Sequence, residues 1–113
     1  MTLQKAFNAK TVIITGHTGF KGAWLTAWLK QLGAKVVGIA LDPPTEPSHF
    51  VAAQLADGMV DLRIDIRNQV ALEEAIVSAQ PDFVFHLAAQ ALVRQSYDDP
   101  VATYMTNAIG TLN

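Results

Sequence analysis

The sequence predicts an α/β fold of the doubly wound kind, a parallel sheet covered by helices on both faces. Three observations predict it. Four short apolar runs alternate with segments of helical periodicity, a pattern that implies parallel pairing and right-handed crossovers. A glycine-rich turn, Thr15-Gly16-His17-Thr18-Gly19-Phe20-Lys21-Gly22, joins the first run directly to the first helix. An acidic residue, Asp42, closes the second run twenty residues after Gly22, the spacing at which a carboxylate meets a ribose in dinucleotide-binding sheets.

Each element follows from local chemistry. The first strand runs from about Lys10 to Thr15. The first helix follows, with Phe20, Ala23, Trp24, Ala27, Trp28 and Leu32 at helical spacing and Gly33 as its terminator. Trp24 and Trp28 lie one turn apart and read as sheet-facing core. Lys35 to Leu41 is the second strand. The loop Asp42-Pro43-Pro44-Thr45-Glu46-Pro47 is stiff, since three prolines forbid regular structure. Ser48 caps a short helix to about Ala56, and Asp57-Gly58 turns into a third strand, Val60 to Ile66. Asn68 caps a helix to about Ala79, ended by Gln80-Pro81. The fourth strand is Asp82 to His86. A small-residue loop runs to Asp99. Asp99-Pro100 then opens a last helix, with proline at its favoured first position, which is still running at Asn113. The spatial order is 3-2-1-4, the N-terminal half of a doubly wound sheet.

Composition narrows the function. The 113 residues make one domain, burying roughly two-thirds of the surface of the unfolded chain. The net charge is -2 without a run of like charges, so nothing marks a nucleic-acid or anionic membrane surface. The absence of cysteine excludes disulfides and thiolate metal sites and fits a reducing cytoplasm. The first ten residues do not read as a signal peptide, and no apolar stretch is long enough to span a bilayer.

The glycine turn is the strongest functional signal. A helix opening directly on a strand end converges free amides and the positive end of its dipole on one point, which attracts a phosphate. Gly16 permits the tight turn, Gly19 lets backbone approach a diphosphate, and Gly22 lets the helix lie close on the sheet. Asp42 can accept hydrogen bonds from both hydroxyls of an adenosine ribose, and it repels a 2′-phosphate; no arginine near strand two in sequence welcomes that phosphate, which favours NAD over NADP. Its plainer role is to start the turn before Pro43. Asp65 can accept from an adenine amino group with Ile66 against the ring; alternatively Asp65 makes only a local ion pair with Arg67. The small residues Leu87-Ala88-Ala89 let backbone reach the middle of a bound dinucleotide. His86, closing an apolar strand, reads as a satisfied structural group. Lys21 reads as an exposed lysine. No metal is expected, because no second histidine or carboxylate lies at ligand spacing.

Taken together, the glycine turn, Asp42, Asp65-Ile66, His86-Leu87-Ala88-Ala89 and Thr106-Asn107-Ala108-Ile109-Gly110-Thr111 resemble the extended short-chain dehydrogenase/reductases, over essentially the whole chain. Gly16-His17-Thr18-Gly19-Phe20-Lys21-Gly22, Leu41-Asp42-Pro43-Pro44-Thr45 and Ala56-Asp57-Gly58-Met59 are most similar to the branch that dehydrates CDP-glucose. So are Phe85 to Arg94 and Ser96-Tyr97-Asp98-Asp99-Pro100. The resemblance implies a Rossmann-type NAD-binding domain over residues 1–113, incomplete and without the C-terminal substrate domain. It implies Gly16, Gly19, Phe20, Lys21, Gly22, Asp42, Asp65, Ile66, Leu87, Ala88, Ala89 and Thr106 as cofactor positions, and Arg94 and Ser96 on a substrate-facing loop. It further implies a CDP-sugar as partner, a cytoplasmic homo-oligomer when full length, and a lyase reaction. Hydride leaves sugar C4, water is lost across C5–C6, and hydride returns to C6, giving CDP-4-keto-6-deoxyglucose for deoxysugars of bacterial surface polysaccharide.

One departure stands out. The family's Tyr-x-x-x-Lys pair is missing from this chain: neither Tyr97 nor Tyr104 has a lysine four residues on. The chain alone is therefore expected to be inactive, with uncovered apolar surface on its fourth strand and last helix. The alternatives are another nucleotide-sugar dehydratase or epimerase, a non-catalytic NAD-binding module, and a flavodoxin-type domain with no use for Asp42.

Overall fold

The computed structural model describes residues 2–43 and 48–113, apart from the side chain of His49. The Pro44 to Pro47 part of the proline loop lies outside the described residues. A short helix α1 (Leu3–Phe7), capped by the Thr2 hydroxyl, precedes the expected alternation. Next come β1 (Thr11–Thr15), α2 (Phe20–Gln31), β2 (Lys35–Ala40), α3 (His49–Ala52), β3 (Val60–Arg63), α4 (Gln69–Ala79) and β4 (Phe83–His86). The segment after β4 is not all loop. It contains α5 (Val93–Asp98), and then a last helix formed by α6 (Pro100–Tyr104), a π-helical stretch (Met105–Ile109) and α7 (Gly110–Leu112).

The sheet has four strands in the order β3-β2-β1-β4, and every pair is parallel. Alternate residues of β1 and β2 face opposite layers. Val12, Ile14 and Val36 pack with Leu25 and Leu29 of α2 and with Leu32, its C-cap. Ile13, Val37 and Ile39 pack with Leu72, Ala75 and Ile76 of α4. The helices thus cover both faces, as right-handed crossovers require. Residues Ile13, Ile14 and Val12 are fully buried, whereas β4 at the sheet edge leaves Val84 52% exposed. Val101, Tyr104 and Leu112 of the last helix are also exposed, so both elements carry the uncovered apolar surface expected of them.

Capping follows the sequence. The Ser48 hydroxyl accepts from Val51 N, and Asn68 Oδ1 accepts from Ala71 N. Asp99 Oδ1 accepts from Ala102 N, with Pro100 in the first turn. α3 ends four residues earlier than expected and β3 three residues earlier.

The tryptophans correct the sequence reading. Trp24 is 58% and Trp28 52% exposed, so neither is sheet-facing core. The buried residues of α2 are instead Gly22, Ala23, Thr26 and Leu29. The reason is distance. α2 starts hard against the end of β1, where a Cβ on Gly22 would overlap the Gly16 carbonyl oxygen. At this first turn only small side chains fit beneath so close a helix, and the large rings lie outward.

A second close approach occurs in β2. A Cβ on Gly38 would overlap the ring of His17, which is wholly buried and set edge-on to Phe50, their centroids 5.1 Å apart. The imidazole has no room to retreat. Gly38→Ala is expected to cost about 1–3 kcal/mol by overpacking. Urea unfolding measures it, and an unchanged midpoint would show that the ring moves freely.

Candidate functional site

The carboxyl ends of the four parallel strands converge on one cleft of about 200 Å³. Gly16 and Gly19 of the glycine turn form one wall. Asp65 and Ile66, just after β3, form the second, and Leu87, Ala88 and Ala89, just after β4, form the third. Thr106 enters from the π-helical stretch. These eight candidate residues, drawn from four separate segments, share a single opening. Crevices of this kind, at strand carboxyl ends, are where open α/β sheets bind ligands.

The turn is built by backbone packed on backbone. Gly16 has a φ of 80°, left-handed, and a Cβ there would lie 2.8 Å from Ala88 N. Its amide donates to Ile39 O at 2.9 Å, tying the turn to β2. Gly19 is the N-cap of α2 and supplies no side-chain cap, nor does the first turn hold an acidic residue. The first amides of α2 thus meet no capping side chain, and the dipole of a twelve-residue helix gives that end a partial positive charge.

The β4 loop is anchored by Thr15. Its hydroxyl oxygen accepts from Leu87 N at 3.0 Å and Ala88 N at 3.2 Å. With both lone pairs used, its proton goes to His86 Nδ1, 2.6 Å away. His86 Nε2 then carries the ring proton and donates to Thr111 Oγ1 at 2.8 Å. His86 is thus satisfied at both nitrogens, the structural role expected of it. Farther along, Asn107 Oδ1 accepts from Gln90 N at 2.6 Å and its Nδ2 donates to Gln90 O at 2.9 Å. The carboxamide replaces a strand partner for Gln90 and fixes the loop exit.

Other candidates fall outside the cleft wall. Gly22 is buried beneath the turn. Phe20 and Lys21 are exposed on the first turn of α2. Arg94 and Ser96 sit on α5, and the Ser96 hydroxyl donates to Val93 O within its own helix. Asp65 lines the cleft and also makes the local ion pair: Arg67 Nη2 donates to its Oδ2 at 2.6 Å, and Arg67 Nε bonds both oxygens. These hydrogen bonds hold the Asp65 carboxyl below its ordinary range, against the opposing effect of burial.

Asp42 is not in the cleft lining; it follows the lining residue Leu41 with its side chain 90% exposed, and here a sequence inference is overturned. An arginine does lie beside strand two. Parallel register sets Arg63 opposite Ala40, and Arg63 Nη1 donates to Asp42 Oδ1 at 2.9 Å. Arg63 Nε and Nη2 also donate to Oδ1 and Oδ2 of Asp61, each at 3.1 Å. Asp61 Oδ1 in turn lies 2.6 Å from His17 Nε2. A chain of four ionisable side chains therefore runs from beneath the glycine turn to Asp42.

Reading along the sequence misses several cleft residues: Thr18, Ala40, Leu41 and Ile64. Thr18 and Leu41 are joined, the Thr18 hydroxyl donating to Leu41 O at 2.9 Å. Thr18, Leu41 and Ile64 each adjoin a candidate residue, which is their one signal in the sequence; Ala40 has none.

The likeness to known proteins agrees with this architecture. The family model described as GDP-mannose 4,6 dehydratase matches residues 13–113. The chain belongs to that family. It is 50% identical over 107 residues to the CDP-glucose 4,6-dehydratase of Salmonella typhimurium, covering 95% of this chain and 30% of that protein. The UDP-glucose 4-epimerase of Thermotoga maritima, solved with UDP-glucose, superposes with a TM-score of 0.80 at 27% identity, over 90% of this chain and 31% of that one. The UDP-glucose 4-epimerase of Thermus thermophilus, solved in complex with NAD, gives 0.75 at 30% identity, again over 90% and 31%. The chain thus spans about 30% of the length of these relatives.

The buried His17 sets a pH dependence. Burial pulls its pKa below the ordinary 6.5, outweighing the hydrogen bond and charge of Asp61. The unfolded histidine takes up a proton below about pH 6.5 while the folded one resists, so stability falls as the pH drops through that range. Urea midpoints measured from pH 7.5 to 5 are expected to decline, and His17→Gln to flatten the decline. An equal slope in the variant would assign it to other groups.

Proposed function

We propose that residues 1–113 are the NAD-binding Rossmann part of a nucleotide-sugar 4,6-dehydratase that converts CDP-glucose to CDP-4-keto-6-deoxyglucose. The observation that carries the dinucleotide reading is the strand-end cleft, with the uncapped start of α2 on one side, Asp65 in its lining and Asp42 directly after the lining residue Leu41. The residues fit an extended, doubly charged ligand. The amides of α2 suit a diphosphate, and the backbone close to Gly16 leaves no side chain to obstruct it. Asp42 receives the ribose hydroxyls, and Asp65-Ile66 borders the adenine. Leu87, Ala88 and Ala89 present a low wall to the middle of the molecule, with Thr106 beyond.

When bound, NAD supplies the hydride acceptor and donor for the sugar. The chain's own residues bind and orient it. Neither Tyr97 nor Tyr104 provides the tyrosine and lysine of a general base, and both rings are exposed on α5 and α6. The 113 residues therefore lack a tyrosine–lysine base, and alone they turn over nothing. The choice of CDP-glucose rests on the Salmonella relative. The fold likeness to epimerases favours a second reading, in which the sugar is inverted at C4 without loss of water.

Two measurements test the proposal. Calorimetric titration with NAD is expected to show binding that Asp42→Ala weakens by roughly tenfold or more, the scale of charge-assisted hydrogen bonds. Incubation with CDP-glucose is expected to give no product from the 113-residue chain and a 4-keto-6-deoxy product from the full reading frame. A 4-epimer would support the second reading, and turnover by the isolated chain would refute its predicted inactivity.

A further inference from the structure

Arg63 is out of place in a site reserved for an unphosphorylated ribose. Guanidinium groups are the common partners of phosphate, whereas Asp42 repels one. The two are nevertheless bonded at 2.9 Å. Two features of the pair explain how they coexist.

The first is that the guanidinium does not depend on Asp42 for its position. Its Nε and Nη2 form a two-pronged bond with Asp61, whose side chain is only 22% exposed. Asp61 is itself fixed by the wholly buried His17. The hydrogen bonds that Asp61 receives from Arg63 and His17 outweigh its burial and hold its carboxyl below the ordinary range, so it stays charged at neutral pH. The guanidinium carbon also lies 5.6 Å from the centre of the Phe50 ring. Asp42, by contrast, has a 90% exposed side chain.

The second feature is charge. Two carboxylates face one guanidinium, and His17 is neutral, so the cluster is net negative. An incoming 2′-phosphate meets that charge first and finds Nη1 already occupied.

We propose that Arg63 is a specificity-determining residue for the adenosine ribose: a latent 2′-phosphate site that Asp42 keeps closed. Replacing Asp42 with a neutral residue removes the repulsion and frees Nη1, while Asp61 still holds the fork in place. The preference then moves from NAD toward NADP. The inference rests on the dinucleotide reading above and goes one step further, because that reading needs only Asp42.

The test uses the full reading frame containing this chain, as wild type, Asp42→Asn, Arg63→Gln and the double variant, each checked for cooperative melting. Calorimetry follows NAD and NADP, and 2′,5′-ADP against 5′-AMP as probes of the adenosine end alone. Wild type is expected to prefer NAD. Asp42→Asn should gain affinity for NADP and for 2′,5′-ADP by roughly tenfold or more, the scale of one charge-assisted hydrogen bond. The double variant should lose that gain, and Arg63→Gln alone should show none. The proposal is overturned by an Asp42→Asn protein that gains nothing, by a gain that survives in the double variant, or by a wild type that binds NADP as tightly as NAD. Should the folded wild type and Asp42→Asn bind neither dinucleotide, the dinucleotide reading itself fails and takes this one with it.

Discussion

Everything at the strand ends depends on backbone touching backbone with no side chain between. Gly16 lies against the β4 loop on one side, with Ala88 N 2.8 Å from where a Cβ would stand, and against Gly22 of α2 on the other. The turn, the start of α2 and the β4 loop, which is distant from both in sequence, therefore meet at main-chain separation. This contact draws α2 down onto β1, aims its free amides along the cleft and sets the height of the β4 wall. A methyl group at either glycine would push these parts apart. The Thr15 hydroxyl then secures the arrangement by accepting from both Leu87 N and Ala88 N.

The same closeness explains what could and could not be read from the residues. Strand order and the caps at Ser48, Asn68 and Asp99 were legible because each leaves a local mark, alternation or a capping side chain; seven cleft residues were legible from the glycine turn and the strand ends, and Thr106 only through the family resemblance. The orientation of α2 was not. Trp24 and Trp28 make a convincing apolar stripe, and periodicity gives the spacing of a stripe without saying which of two neighbouring stripes faces inward. Proximity to Gly16 decided that in favour of Gly22, Ala23 and Thr26. Nor could α5 be seen, because Val93 to Asp98 carries no side-chain cap at its start to announce a helix.

Arg63 shows a different limit. Sequence distance suggested that no cation stood near strand two, yet residues on adjacent parallel strands are separated by a whole crossover. Register, not spacing, pairs Ala40 with Arg63. Once that pairing exists, Asp61 becomes the centre of the cluster, binding the guanidinium with both oxygens and the imidazole with one. A partly buried carboxylate is costly unless its oxygens are used, and here both are.

That cluster also ties the identity of the turn to the identity of β2. His17 occupies a slot that exists only because residue 38 lacks a side chain, and Phe50 of α3 closes the slot edge-on. Its Nε2 is held by Asp61, while its Nδ1 has no partner among the described residues. A buried nitrogen with no well-formed hydrogen bond is most easily tolerated while it bears no charge, and burial does outweigh the raising effects of Asp61 and the Ile39 backbone on this ring. The ring is therefore kept neutral by the packing that holds it, and the Asp61 carboxylate it steadies fixes Arg63 at the other end. A histidine in the glycine turn, a glycine in β2 and an acid in β3 make one physical unit. Changing any of them alone disturbs the placement of the guanidinium beside Asp42.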